Sequence, residues 1–174
     1  MRISINCGHT KTGAGYGAVS GKYRESDIVR AVGKELIRVL KSKGHTVYDS
    51  TVDNASSHNT YLKESVRLAN SKDIDLFISL HCNASASHSA NGVEVYTYKG
   101  RKLDQAVHVC YELSLKGFRN RGIKDGSSLY VVKNTKAPAM LIELFFLDNS
   151  TDQTLYSKVG YRTIARAIAN ALQS

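Results

Sequence analysis

The chain has 174 residues, and its 42% hydrophobic content is spread along the whole length, so it fits one domain, residues 1–174, with a sizeable buried core. No apolar run approaches the ~18 residues needed to cross a bilayer, and the opening MRISINCGHT lacks the basic-then-apolar layout of a signal peptide, which predicts cytoplasmic synthesis without a transmembrane segment. The net charge of +9 calls for a polyanionic partner or surface, but Lys and Arg are scattered, with no long basic run, zinc-finger spacing or aromatic RNA-binding motif, and this argues against nucleic acid.

Residues 2–6 (RISIN) are apolar and β-branched and end at Cys7-Gly8, as a strand does. Four glycines make residues 8–24 a long loop. A helix follows over 26–42, with Ile28, Val29, Val32, Leu36, Val39 and Leu40 at helical spacing and Gly44 as its stop. Residues 45–48 then give a second strand, completing a unit of the size of a parallel crossover. A second helix over 60–71 carries Leu62, Val66 and Ala69 on one face, and the near-continuous apolar run 74–80 (IDLFISL) predicts a strand covered on both faces. After the turn at Asn91-Gly92, residues 93–98 alternate like a strand with one face more exposed. A helix over 103–118, strands over 129–132 and 139–147, and one closing helix over 152–172 complete the reading. The alternation predicts an α/β fold: a mostly parallel twisted sheet of about six strands flanked by helices on both faces.

In such sheets ligands sit beyond the carboxyl ends of the parallel strands. His9 follows the first strand, His81 follows strand 74–80, and loop 8–24 returns to the same edge with Glu25 at the helix start. Two imidazoles and one carboxylate, with a fourth position left for water, form a catalytic zinc arrangement. Taken singly, each histidine also reads as an ordinary loop residue, and Glu25 as an acid favoured by the helix dipole. Glu143 stands within MLIELFF (140–146), where a buried carboxylate is costly unless paired, metal-linked or protonated. It reads either as a strand-end acid facing solvent or as a catalytic acid/base with a tuned pKa. Glu94 reads as a solvated acid on the free face of its strand, and His45, His58, His88 and His108 have no metal partner by spacing. Three cysteines, Cys7, Cys82 and Cys110, cannot all pair within one molecule, which argues against a disulfide framework.

At these same residues the chain resembles the zinc-dependent N-acetylmuramoyl-L-alanine amidases of autolysins and phage endolysins. INCGH (5–9) resembles the first-histidine motif, Glu25 stands where the second ligand does, and SLHCNAS (79–85) resembles the Ser-Ile-His-x-Asn-Ala segment. Residues 120–149 (NRGIKDGSSLYVVKNTKAPAMLIELFFLDN) resemble the long C-terminal signature, although Thr10-Lys11-Thr12 replace the glycines that often follow the first histidine. The resemblance implies Zn2+ held by His9, Glu25 and His81, with Glu143 moving the proton. It also implies a peptidoglycan substrate, cut between N-acetylmuramic acid and the L-alanine of the stem peptide; with no export signal in the sequence, such an enzyme is expected to wait in the cytoplasm until the membrane is permeabilised. Asn83 is expected to orient His81 or a substrate amide, or to be a turn residue closing the strand. The positive charge suits anionic wall polymers as a further partner. Two rivals stay open: a thiol hydrolase using Cys7 or Cys82 with a neighbouring histidine, and a non-catalytic, basic wall-binding module.

Overall fold

The computed structural model describes residues 1–172. Strand β1 (Arg2–Cys7) shows how the layers arise, because alternate side chains of a strand point to opposite faces. Ile3, Ile5 and Cys7 enter the larger apolar layer, while Ser4 and Asn6 are buried on the other face. There Asn6 donates to the Ser65 hydroxyl (3.2 Å) and accepts from the hydroxyls of Ser79 (2.8 Å) and Tyr61 (3.4 Å), so its polar groups are satisfied without water.

Five more strands complete the sheet: β2 (Thr46–Asp49), β3 (Leu76–Asn83), β4 (Val93–Thr97), β5 (Asn120–Asp125) and β6 (Ala139–Phe146). Their order is β2-β1-β3-β6-β4-β5. Only the β4–β6 pairing is antiparallel; the others are parallel. The mostly parallel six-stranded sheet expected from the alternation of elements is therefore present. The helices are α1 (Glu25–Ser42), α2 (His58–Asn70), α3 (Asp104–Ser114), α4 (Tyr130–Asn134), α5 (Ser150–Val159) and α6 (Tyr161–Ala171). Apolar stripes of α1, α3 and α6 bury one face of the sheet, and Val66, Ala69, Val131 and Val132 of α2 and α4 cover Phe77, Ala139 and Leu141 on the other. No helix among the described residues is long and apolar enough to cross a membrane.

Four local readings are corrected. Residues 129–132 are not a strand: they lead into α4, since a short apolar run suits a buried helical turn as well as a strand. The sixth strand is instead β5, whose sequence NRGIKD is too polar to announce itself because it lies at the sheet edge. Val93, Glu94, Val95 and Thr97 of β4 are buried, with β5 paired along its outer edge, so the more exposed face expected there is absent apart from the half-buried Tyr96. The closing helix is two, broken at Gly160 in the left-handed region (φ 76°), with Asn149 capping α5 by accepting from the amides of Thr151 and Asp152. The loop over 8–24 also holds short pairings, Thr12–Gly13 with Asn54–Ala55 and Val19–Ser20 with Tyr23–Arg24.

Candidate active site

β1 and β3 are parallel neighbours that end at one edge, so the residues just after Cys7 and Leu80 are brought side by side. The Gly8 amide donates to the Leu80 carbonyl (2.8 Å). A Cβ on Gly8 would stand 2.4 Å from the His81 ring, so only glycine lets the backbone pass this close. His9 then turns into the left-handed region (φ 64°), a conformation that costs a non-glycine residue about 1–2 kcal/mol. Its backbone is held from both sides: its amide donates to the Tyr61 hydroxyl (2.9 Å), and Arg30 Nη2 donates to its carbonyl (2.9 Å). Arg30 is itself fixed by the Asp53 carboxylate (2.8 Å) and the Ser26 carbonyl (3.0 Å).

Glu25 opens α1 and is 3% exposed. The Cys82 amide donates to its Oε1 and the Ala18 amide to its Oε2, both at 2.9 Å, which orients the carboxylate. The same Oε1 lies 3.1 Å from His9 Nε2 and 3.1 Å from His81 Nδ1. Gly17, at φ 80°, makes room for this group, because a Cβ there would be 2.6 Å from Glu25 Oε2. Burial pushes the Glu25 carboxyl upward, but the hydrogen bonds from His81 and His9 outweigh it and hold it well below the usual carboxylate range.

These three donors fit a cation. His9 faces an oxygen at both ring nitrogens, Gly15 O at 3.0 Å and Glu25 Oε1 at 3.1 Å, yet a neutral imidazole donates from only one. With Nδ1–H given to Gly15, the lone pair of Nε2 points at a carboxylate oxygen, an arrangement that needs positive charge between them. Burial lowers the pKa of His81, disfavouring a second imidazolium there. One atom from each of His9, Glu25 and His81, all lying within 4.8 Å of one another, converges on one point.

Glu143 lies one strand away, in register with His81 on β3 and with Glu94 on β4. Its Oε2 is buried without a hydrogen-bond partner. Burial first, then the charges of Glu25 and Glu94, raise its pKa well above the ordinary value, favouring the protonated carboxyl. It shares a cleft of about 330 Å³ with His9, His81, His58, Tyr61 and Tyr130. His58, without a metal partner by spacing, thus reaches the cleft, its ring centroid 6.4 Å from that of His9. His45, beside the N-terminus, and His88, paired with Asp148, do not line it.

Glu94 is not a solvated acid. It is 3% exposed and accepts from Asn83 Nδ2 (2.7 Å), the Tyr96 hydroxyl (2.9 Å) and Arg121 Nε (2.7 Å). The alternation pattern hid this because Asn83 and Arg121, which reach Glu94 from two other strands, leave no signal in the local sequence. Asn83, expected to orient His81 or substrate or to close the strand as a turn residue, donates its side-chain amide to Glu94 and accepts from the Ala84 amide (2.8 Å). Sequence reasoning also missed Arg30 and Tyr61, whose partners come from three separate elements and leave no local signal. The cysteines stay out of the cleft, since Cys82 points to the face opposite His81. Burial raises the Cys7 thiol to about 11 and the Cys82 thiol well above its ordinary value, so neither is a ready thiolate.

Comparison with known proteins identifies the family and the fold. The N-acetylmuramoyl-L-alanine amidase family profile matches residues 3–174. A Staphylococcus aureus protein named as a probable cell wall amidase, LytH, is 34% identical over 98% of this chain and 57% of its own length. An uncharacterized Clostridium perfringens protein, CPE1502, is 30% identical over 99% of this chain and 51% of its own, so the chain spans about half the length of these curated relatives. Among solved structures, the catalytic domain of the CD27L endolysin targeting Clostridia difficile superposes with a TM-score of 0.88 at 30% identity, covering 99% of this chain and 97% of that one.

Proposed function

Because the chain belongs to the N-acetylmuramoyl-L-alanine amidase family, we propose that residues 1–174 act as one catalytic domain that hydrolyses the amide between the lactyl group of N-acetylmuramic acid and the L-alanine of the stem peptide. The observation that carries this reading is the pairing of a cation-binding donor set, His9, Glu25 and His81, with an unpartnered acid, Glu143, one strand away. Zinc is the ion we assign to the donors; bound there, it supplies the Lewis acidity that activates water near neutral pH and polarises a carbonyl.

The protein's own groups do the rest. His9 presents Nε2 from a ring set by the Gly15 carbonyl, His81 presents Nδ1, and Glu25 is kept ionised beside them. Glu143 takes the proton from the attacking water and returns it to the leaving amine, a step an amide requires because an amine anion is a very poor leaving group. Without a cation, burial first and then the charges of Glu25 and Glu94 bias Glu143 toward its protonated form. Positive charge at the donor set would oppose that bias. A thiol mechanism is disfavoured by the buried, protonated cysteines, and a purely binding module gives no reason for a carboxyl oxygen without a partner in a cleft. The +9 charge suits retention on anionic wall polymer, an attraction that salt screens.

Digestion of purified cell walls is expected to release free amino-terminal alanine with no new reducing sugar ends. Reducing ends would mark a glycosidase, and new ends within the stem peptide a peptidase; either overturns the reading.

Arg30 gives a second expected result. Arg30→Met removes the clamp on the left-handed His9 backbone, and zinc affinity, measured by chelator competition, is expected to fall about 10–100-fold, as for other groups that orient a ligand. Arg30→Lys should recover only part of this, since a single ammonium cannot span the carbonyls and carboxylate that Arg30 bridges. Unchanged affinity in Arg30→Met, with the fold intact by circular dichroism, would remove Arg30 from this role.

A further inference from the structure

Four strands carry their chemistry in one row at the carboxyl edge of β3 and β6. His81 on β3 pairs in register with Glu143 on β6, which pairs in register with Glu94 on β4. Arg121 lies on β5 where the pairing with β4 shifts register between Val93 and Val95, opposite Glu94. Such an irregularity re-aims side chains, and here it turns Arg121 onto Glu94, with Nε donating to Glu94 Oε2 at 2.7 Å. The guanidinium also lies over the Phe146 ring, 4.8 Å from its centroid.

Two features set this arginine apart from a structural ion pair. Glu94 uses only Nε, and among the described residues the two terminal nitrogens have no hydrogen-bond partner. The side chain is nevertheless 26% exposed while its partner carboxylate is 4% exposed, so the arginine runs from a buried partner toward solvent. An arginine held by a buried acid and an aromatic ring has already given up its rotamer freedom, and its remaining donors match the planar geometry of a carboxylate.

From this we infer that Arg121 is a substrate anchor that binds a free carboxylate of the stem peptide, with Glu94, Asn83 and Phe146 as the residues that aim it. The inference rests on the amidase reading and deepens it. Strand spacing gives the reach: Arg121 is about two strands, roughly 10 Å, from Glu143. An extended peptide covers that in about three residues. The carboxylate therefore belongs to a stem residue beyond the L-alanine at the cut bond, and the peptide lies across the strand ends, along the row. Where a wall carries carboxamide instead of carboxylate at those residues, the fork loses its charged partner, so Arg121 makes the enzyme sensitive to stem-peptide amidation.

The test compares two synthetic muropeptides that differ only in having carboxylates or carboxamides on the stem residues after alanine, cut by the zinc-loaded full chain. The wild type is expected to favour the carboxylate form by about 10–100-fold in kcat/KM, the usual weight of a hydrogen bond to a charged group, and mainly through KM. In Arg121→Gln that ratio falls to about one. Because the single change leaves Glu94 buried and unpaired, the Glu94→Gln/Arg121→Gln double variant is measured beside it, and it too should show no preference. Arg121→Lys should keep part of it. A ratio near one in the wild type, or a preference that survives in both glutamine variants, overturns the inference. If the wild type frees no alanine amino terminus from either muropeptide, the amidase reading itself has failed, an outcome distinct from lost discrimination in an active enzyme.

Discussion

Glu143→Gln is expected to lower kcat by about 10²–10⁴-fold, the usual worth of a general acid/base, while zinc content stays at the wild-type level. The substitution keeps the shape of the side chain and removes only its capacity to cycle a proton. Stability should move the other way. The folded pKa of Glu143 is raised above its ordinary value of 4.5 by burial and by the charges of Glu25 and Glu94. A raised folded pKa means that the group's contribution to stability is complete below the unfolded value and is lost as pH rises through the folded one. Glutamine never ionises, so the metal-free variant should melt like the metal-free wild type at acid pH and above it at neutral and alkaline pH. Calorimetry across that range, with rate and metal content measured on the same sample, separates a catalytic acid from an exposed strand-end acid. Activity within a few-fold of wild type would take Glu143 out of the mechanism.

His81→Ala should remove both zinc and turnover. His81 presents Nδ1 to the point where Glu25 and His9 also converge, with Gly8 packed against its ring. Loss of a direct donor must exceed the about 10–100-fold cost of losing a group that merely orients one. Elemental analysis after gel filtration should find the variant metal-free, and added zinc should not restore wall hydrolysis at concentrations that reload the chelated wild type. The wild type should also melt higher with zinc than after chelation, by about 4 kcal/mol when free zinc exceeds the dissociation constant a thousandfold, and the variant should show no such difference. Full metal content in His81→Ala would refute the ligand set.

The β1–α1–β2 unit and the doubly covered strand β3 were legible because each carries a strong local pattern: the apolar stripe of α1 and the near-continuous apolar run 74–80. Chain order was enough to send His9, His81 and Glu25 to one edge, since parallel strands joined by helices all point their carboxyl ends the same way. Glu143 was conspicuous because a carboxylate inside MLIELFF has no cheap explanation. Reading residues 129–132 as a strand failed because four apolar residues cannot display a period, and β5 escaped because an edge strand needs few apolar side chains.

By itself the amino-acid sequence determined the α/β architecture and sent His9, Glu25 and His81 to one sheet edge, because these follow from periodicity and the order of elements; the roles proposed for them and for Glu143 rest on the motif resemblance. Only the tertiary structure decided what surrounds them. Asn83, Tyr96 and Arg121 make Glu94 a buried, triply hydrogen-bonded acid, and Arg30 and Tyr61 hold the left-handed turn at His9. The physical reason is separation along the chain: Arg30 lies 21 residues from His9, Tyr61 52 residues from it, and Arg121 27 residues from Glu94. A hydrogen bond across such distances depends on how whole elements pack, and no local pattern of side chains encodes it.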